Sequence, residues 1–238
     1  MTGITPECTM KKTLPINETK IVGFGGAGIT IINSIAKENI PPNSTILAAD
    51  TNICPLIISC NSPWICFGRK TAHGMGCGNS TNLAEAVFKE SKKELSEFIG
   101  LKTTKTLYLL AGFGGATGAV TATRLASLAK KQGITVCSII TMPFKKENAR
   151  QKKAKKYCQQ MIKNSNLTIT LNLEELQKQK PEACILDCFN IANNIIAKTL
   201  QKITKEINCT KYDKKAERIT FAKNQAQIKI GKKTLKIQ

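Results

Sequence analysis

Two glycine-rich loops, each following a short apolar run, constrain this chain more than any other feature. The first is Val22-Gly23-Phe24-Gly25-Gly26-Ala27-Gly28; the second is Ala111-Gly112-Phe113-Gly114-Gly115-Ala116-Thr117-Gly118. Small residues let a backbone approach an anion closely, adopt positive φ and aim several N–H groups inward. A helix N-terminus behind each loop adds positive partial charge. One such loop is a weak signal. Two point to a phosphate chain held from both sides.

The rest of the pattern says what carries the loops. Lys20–Val22, Thr45–Ala49, Trp64–Phe67, Thr106–Leu110 and Ile134–Thr141 read as strands. Helical spacing falls between them, over Ile29–Ala36, from about Asn52, over Leu83–Phe98 and over Ala119–Lys130. A turn is expected at Pro41-Pro42-Asn43. A third glycine cluster, Gly74-Met75-Gly76-Cys77-Gly78-Asn79-Ser80, precedes the longest of these helices. Strands alternating with helices predict an α/β fold: a Rossmann-like, mostly parallel sheet with helices on both faces. Unbroken apolar strands fit a sheet covered on both sides. Ligands in such folds bind beyond the carboxyl ends of the strands, where all three glycine clusters fall.

Beyond Pro143 come a basic helix (about Glu147–Lys163), a strand (Leu167–Leu171) and a long helix over 184–207. In the long helix Ile185, Phe189, Ala192, Ile196, Leu200, Ile203 and Ile207 share one face. Ile219–Phe221, Ile228–Ile230 and Leu235–Ile237 read as short strands, with a hairpin turn at Gly231-Lys232-Lys233. The expected organisation is a polar arm (1–18), a nucleotide-binding domain (19–207) that includes the long helix, and a short basic β tail (208–238).

The net charge is +20, from 36 basic and 16 acidic residues, and it concentrates late in the chain. Such a balance fits nucleic acid, an anionic membrane or an acidic partner, or simply well-solvated faces. Ten cysteines without a Cys-x-x-Cys suggest reduced, mostly buried thiols in a cytoplasmic protein. The single histidine, His73, argues against a histidine metal site or a catalytic triad. No secretory signal or membrane-length apolar run is present.

Gly23-x-Gly25-x-x-Gly28 also matches the dinucleotide fingerprint, with Asp50 near the place of a ribose-binding acid. An NAD-dependent oxidoreductase would leave the clusters at Gly74 and Gly112 unused, and no catalytic His or Tyr follows. The second loop is not a Walker A loop, since no Lys-Ser or Lys-Thr follows it. The ensemble instead resembles the FtsZ/tubulin family of GTP-binding polymer proteins, over roughly Lys20–Ile207. Gly114–Gly118 looks like that family's Gly-Gly-Gly-Thr-Gly loop, and the Gly23 loop like its first phosphate loop. Ala49-Asp50-Thr51-Asn52 resembles the Asn-Thr-Asp turn after the second strand. Gly74–Gly78 resembles Gly-Leu-Gly-Ala-Gly, and Glu90-Ser91 the family's Glu-Ser pair. Thr141-Met142-Pro143-Phe144-Lys145-Lys146-Glu147 resembles Thr-Arg-Pro-Phe-x-x-Glu.

The resemblance implies a GTP or GDP site; Mg beside it stays open. Carried over residue by residue, it comprises Gly25, Gly26, Ala27, Thr30, Asp50, Gly76, Cys77, Gly114, Gly115, Ala116, Thr117, Gly118, Glu147 and Arg150. At the guanine end it adds Asn172, Phe189 and Asn193. Without the resemblance, Phe189 reads as core and Asn172 as a helix N-cap before Leu173-Glu174-Glu175. Phe189 and Asn193 lie one helical turn apart and share a face.

Three departures stand out. Ala119-Val120 replaces the Thr-Gly or Ser-Gly that closes the family's loop, putting β-branched bulk beside the phosphates. Thr30 and Asp50 replace Asn, and Arg150 sits beside rather than on the aligned arginine position. The family's Asn-x-Asp-x-x-Asp catalytic loop, lent to the next subunit, has no counterpart after Ile207, where the chain reads Asn208-Cys209-Thr210-Lys211-Tyr212-Asp213-Lys214-Lys215. The expectation is a divergent FtsZ-like GTP-binding protein of division or filament assembly, with weak or no autonomous hydrolysis, paired head-to-tail with itself or with a full-length FtsZ-like protein. The sequence ends before the family's second domain would. The other readings are the NAD enzyme and a basic binding module without nucleotide.

Overall fold

The computed structural model of the chain describes residues 18–36 and 44–209 and the strands 217–220, 226–230 and 233–237, with side chains described as far as 204. The expected arm at 1–18, except Glu18, the Pro41–Asn43 turn, Phe221 and the turn residues Gly231 and Lys232 lie outside these. In chain order the elements are β1 (Thr19–Phe24), α1 (Gly25–Ile35), β2 (Ser44–Asp50), α2 (Ile53–Ser59), β3 (Trp64–Cys66), α3 (Arg69–Ala72), α4 (Thr81–Ile99), β4 (Thr106–Gly112), α5 (Ala116–Lys131), β5 (Thr135–Met142), α6 (Asn148–Asn164), β6 (Leu167–Asn172), α7 (Leu173–Gln179), α8 (Ile185–Cys209), β7 (Glu217–Thr220), β8 (Ala226–Ile230) and β9 (Lys233–Ile237).

The sheet order is β3-β2-β1-β4-β5-β6-β7, and every pairing in it is parallel. From β1 the chain builds outward to β2 and β3, then returns to place β4 on the other side. β1 and β4 therefore flank the topological switch point, where α/β sheets open a crevice. Register aligns the strand ends there: Phe24 pairs with Ala49 and with Ala111, Gly112 with Thr141, and Met142 with Asn172. β7 runs beside β6, so part of the sequence read as a basic tail lies alongside the main sheet. β8 and β9 form an antiparallel pair whose ends, Ile230 and Lys233, face each other across the expected turn.

Alternate residues of each strand feed different layers, as period-2 geometry demands. Val22, Leu109 and Ile140 point to one face and pack with α4, α5 and α6. Ile21, Tyr108, Leu110 and Ile139 point to the other, where α1 and the long α8 lie. α8 supplies Cys188, Ala192, Ile196, Leu200 and Ile203, much of the face its spacing predicts. Ile185 and Phe189 of that face are exposed at the helix start. Of the ten cysteines, Cys66, Cys77, Cys137, Cys158 and Cys188 are buried, while Cys54 and Cys184 are exposed.

The β1–α1 turn is drawn so tight that a Cβ on Gly23 would stand 2.4 Å from Gly28 O and 2.5 Å from Ile32 Cγ1. A Cβ on Gly26 would meet nothing within 4 Å. Gly23→Ala is expected to lower unfolding free energy by about 2 kcal/mol or more, because backbone must move to admit it. Gly26→Ala is expected to stay within about 0.5 kcal/mol of the parent. Urea titrations of the two variants test this; equal effects would contradict the packing.

Candidate functional site

The site is built where β1 and β4 hand over to α1 and α5. Both helices begin without a side-chain cap, at Phe24 and Gly115 respectively. By contrast α4 is capped by Ser80, α2 by Asn52 and α7 by Asn172. Uncapped first-turn N–H groups at two neighbouring helix starts are the kind of backbone donors that can hold an anion.

The two loops interlock. A Cβ on Gly25, which has φ +72°, would stand 3.3 Å from Gly118 N. One on Gly118 would stand 2.9 Å from Gly112 O and 3.1 Å from Phe24 O; one on Gly112 would meet Ala27 Cβ at 2.6 Å. Gly26 and Gly115, in contrast, face open space. Ala116 and Gly118 are buried and Thr117 is half-buried. The expected crowding by Val120 does not occur. Ala119 and Val120 are fully buried in the α4–α5–α6 core, because the first turn of α5 rotates both away from the loop.

Thr51 ties the other two turns to this pair. Its Oγ1 lies 2.9 Å from Thr117 Oγ1 and accepts a hydrogen bond from the buried Cys77 Sγ at 3.5 Å. Gly76, at φ +85°, would place a Cβ 3.4 Å from that of Asn52. Asp50 turns inward: its Oδ1 accepts from the N–H groups of Thr51 at 2.7 Å and Asn52 at 3.3 Å. Burial outweighs those bonds and raises its carboxyl to about 6. Thr30 stands apart, exposed on α1, with its hydroxyl donated to Ala27 O.

The remaining residues lie along the ends of β5 and β6. Arg150 pairs with Glu147 at 2.5 Å, and its Cδ would be 3.9 Å from a Cβ on Gly114, so the shifted arginine still reaches the loop. Gln151, the next residue, donates to Pro143 O. Glu147 Oε2 accepts from Phe144 N, and the Phe144 ring meets Phe189 edge-on at 6.2 Å between centroids. Phe189 is 40% exposed, so it is a surface ring and not core. Asn172 caps α7, its Oδ1 accepting from Glu174 N at 3.1 Å. Asn193 is buried one turn beyond Phe189.

Sequence reasoning missed Lys153 and Asn79. Lys153 Nζ donates to Asn79 Oδ1, bridging α6 to the third glycine cluster. Burial, with Arg150 close by, holds the Lys153 ammonium below its ordinary range. Its spacing of three from Arg150 was the one available signal. Among the described residues no three His, Cys, Asp or Glu side chains converge as a metal site.

A doubly wound parallel sheet with backbone anion loops at its switch point defines a nucleotide-binding α/β domain. The family model "Tubulin/FtsZ family, GTPase domain" matches residues 18–180, and the chain belongs to that family. It is 30% identical over 201 residues to cell division protein FtsZ 1 of Thermococcus kodakarensis, covering 83% of this chain and 53% of that protein. To cell division protein FtsZ 2 of Methanocaldococcus jannaschii it is 32% identical over 187 residues, covering 79% and 48%. The chain thus spans about half the length of these relatives. Its fold is that of an FtsZ dimer of M. jannaschii, solved empty, with a TM-score of 0.73 at 24% identity over 79% of this chain and 55% of that one. It is also that of CetZ2 from Haloferax volcanii in a GTPγS-bound protofilament, with a TM-score of 0.69 at 17% identity over 80% and 59%. The oxidoreductase reading is not favoured.

The raised carboxyl of Asp50 has a consequence for stability. A folded value near 6 against 3.8 means the native state holds the proton more tightly. Stability therefore falls as pH rises from about 4 to about 6 and is flat above. Asp50→Asn keeps an acceptor for Thr51 and Asn52 without the buried charge. It is expected to gain about 1–3 kcal/mol at pH 7.5 and to match the parent near pH 4. Thermal melts across that range check it; a pH-independent difference would contradict it.

Proposed function

We propose that this chain binds GTP or GDP at the β1–β4 switch point and acts as a subunit of a head-to-tail polymer, with itself or with a full-length FtsZ-like protein. The observation that carries this is the interlocked loop pair. It holds two uncapped helix starts together and leaves open space at Gly26 and Gly115, where nothing in the packing requires glycine. In this reading Gly25, Gly26 and Gly114–Thr117 hold phosphates by backbone N–H groups, with Gly76 and Cys77 closing one side. Glu147 and Arg150 lie toward the sugar and phosphates. Phe189 offers a ring face to the base, and Asn172 and Asn193 offer amides to its edge.

Autonomous hydrolysis is expected to be weak. Phosphoryl transfer rests on positioning and charge stabilisation. Asp213, between Tyr212 and Lys214, is the one acid in the segment 208–215, outside the described residues. No helix among the described residues is long and apolar enough to cross a membrane.

Calorimetric titration of the purified chain is expected to show binding of GTP and GDP in preference to ATP and NAD. Gly115→Arg should abolish it. Asn172→Asp keeps the α7 cap but removes the amide donor, and should weaken GTP about tenfold without lowering the melting temperature. Affinity for NAD with none for guanine nucleotides would overturn the proposal.

A second measurement addresses hydrolysis. GTP turnover per chain is expected to stay low and flat as protein concentration rises. A steep rise would show that an acid such as Asp213 completes a neighbour's site.

A further inference from the structure

α5 is the most deeply set helix of its layer, and α4 and α6 stand on either side of it. Over its second half they enclose a groove of about 650 Å³ on the flank of the molecule. The groove lies on the outer helical layer, running from the start of α4 at Thr81 and Asn82 to Lys131 at the end of α5, and none of the glycine-loop residues lines it.

Its floor is a closed ionic knot. Arg124 Nε donates to both oxygens of Glu85, at 3.0 and 2.8 Å, and its Nη2 donates to Oε1 at 2.7 Å. Tyr157 OH donates to the same Oε1 at 3.2 Å. Glu85 is the sole carboxylate lining the groove, and these donors already engage it. The rim is Lys89 and Lys92 from α4, Lys131 from α5 and Lys156 from α6. Among the described residues none of these four ammoniums has a carboxylate within ion-pair distance. Ammoniums converging on one concavity without counter-charges repel one another, and an anion in the groove relieves that.

We propose that this groove docks an extended acidic segment of a partner protein. A concave trough admits a chain, whereas a flat anionic bilayer would reach only the rim. The aromatic side chains present, Phe88 and Tyr157, are 7% and 3% exposed, so no ring face is offered for the base stacking that single strands use. Leu128 gives the floor an apolar spot, and Asn82 and Gln160 offer amides to a peptide backbone. Cationic rim and part-apolar floor together suit a segment alternating carboxylate and aliphatic residues, the period-2 pattern of an extended chain.

The test is fluorescence anisotropy on the full chain, using a fluorescein-labelled peptide of alternating glutamate and leucine at about 50 mM salt, where screening is moderate. Saturable binding is expected, and the glutamine-for-glutamate peptide should not bind. The double variant Lys92→Glu, Lys156→Glu should weaken binding about tenfold or more, since like charges now face the ligand. Lys92→Arg with Lys156→Arg should retain it. Glu85→Gln, which removes the one carboxylate but keeps an acceptor for Arg124, should strengthen it. Lys178→Glu, on α7 across the sheet, should stay within about twofold, and thermal melts of each variant confirm folding. GTP titration of the double variant should match the parent, which separates this groove from the nucleotide site. Undiminished peptide binding by the double reversal would overturn the proposal, as would no binding at low salt. An oligonucleotide that displaces the peptide at lower concentration, and is lost with the same substitutions, would make the groove a nucleic-acid site instead.

Discussion

At the β1–β4 boundary two polypeptide backbones approach closer than any side chain would allow. Gly118 sits against Phe24 O and Gly112 O, Gly112 against Ala27, and Gly23 against Gly28. These contacts bring the N-termini of α1 and α5 to one place and set both helices at the depth their layers require. The sheet then has a covered face on each side, with α4, α5 and α6 over one and α1 and α8 over the other. A Cβ at the tight positions would push a helix off the sheet and spread the two helix starts. The fold and the candidate site depend on the same close approaches, so neither can drift without the other.

The distribution of charge follows from that arrangement. Aligned backbone N–H groups at loops of this kind suit an anion without a side-chain cation and bring no counter-ion of their own. Arg150, the basic side chain placed against Gly114, is already paired with Glu147. Asp50 is folded inward against the N–H groups of its own turn. The lysines gather instead on the outer surfaces of α4 and α6 and the end of α5, where three helices turn a basic composition into a shaped groove. A net charge of +20 thus coexists with a candidate site built mainly from backbone.

Much of this is visible in the chain because it is local. Strand, glycine turn and helix follow one another within ten residues, so periodicity and composition are enough to place β1–α1, β4–α5 and the long α8. The double role allowed for Asn172 is half visible, since an Asn before Leu173-Glu174-Glu175 is a cap whatever else it does, and the bond to Glu174 N is present. Phe189 reads as core from its spacing alone. In the structure it is 40% exposed and meets Phe144 edge-on, while its neighbour Cys188 takes the buried position at the start of α8.

What the sequence determines by itself is the alternation of strands and helices, the three glycine turns, and the residue types available to an anion and a base. These are encoded by neighbours along the chain. The tertiary structure alone decides which turns meet, because strand order places β1 beside β4 although some eighty residues separate them. It turns Val120 into the core and not into the loop. It joins Thr51 to Thr117 and Lys153 to Asn79, and draws Lys89, Lys131 and Lys156 around one groove. Such contacts depend on the rotation of a helix about its axis and on the depth at which it packs, quantities that no short window of residues specifies.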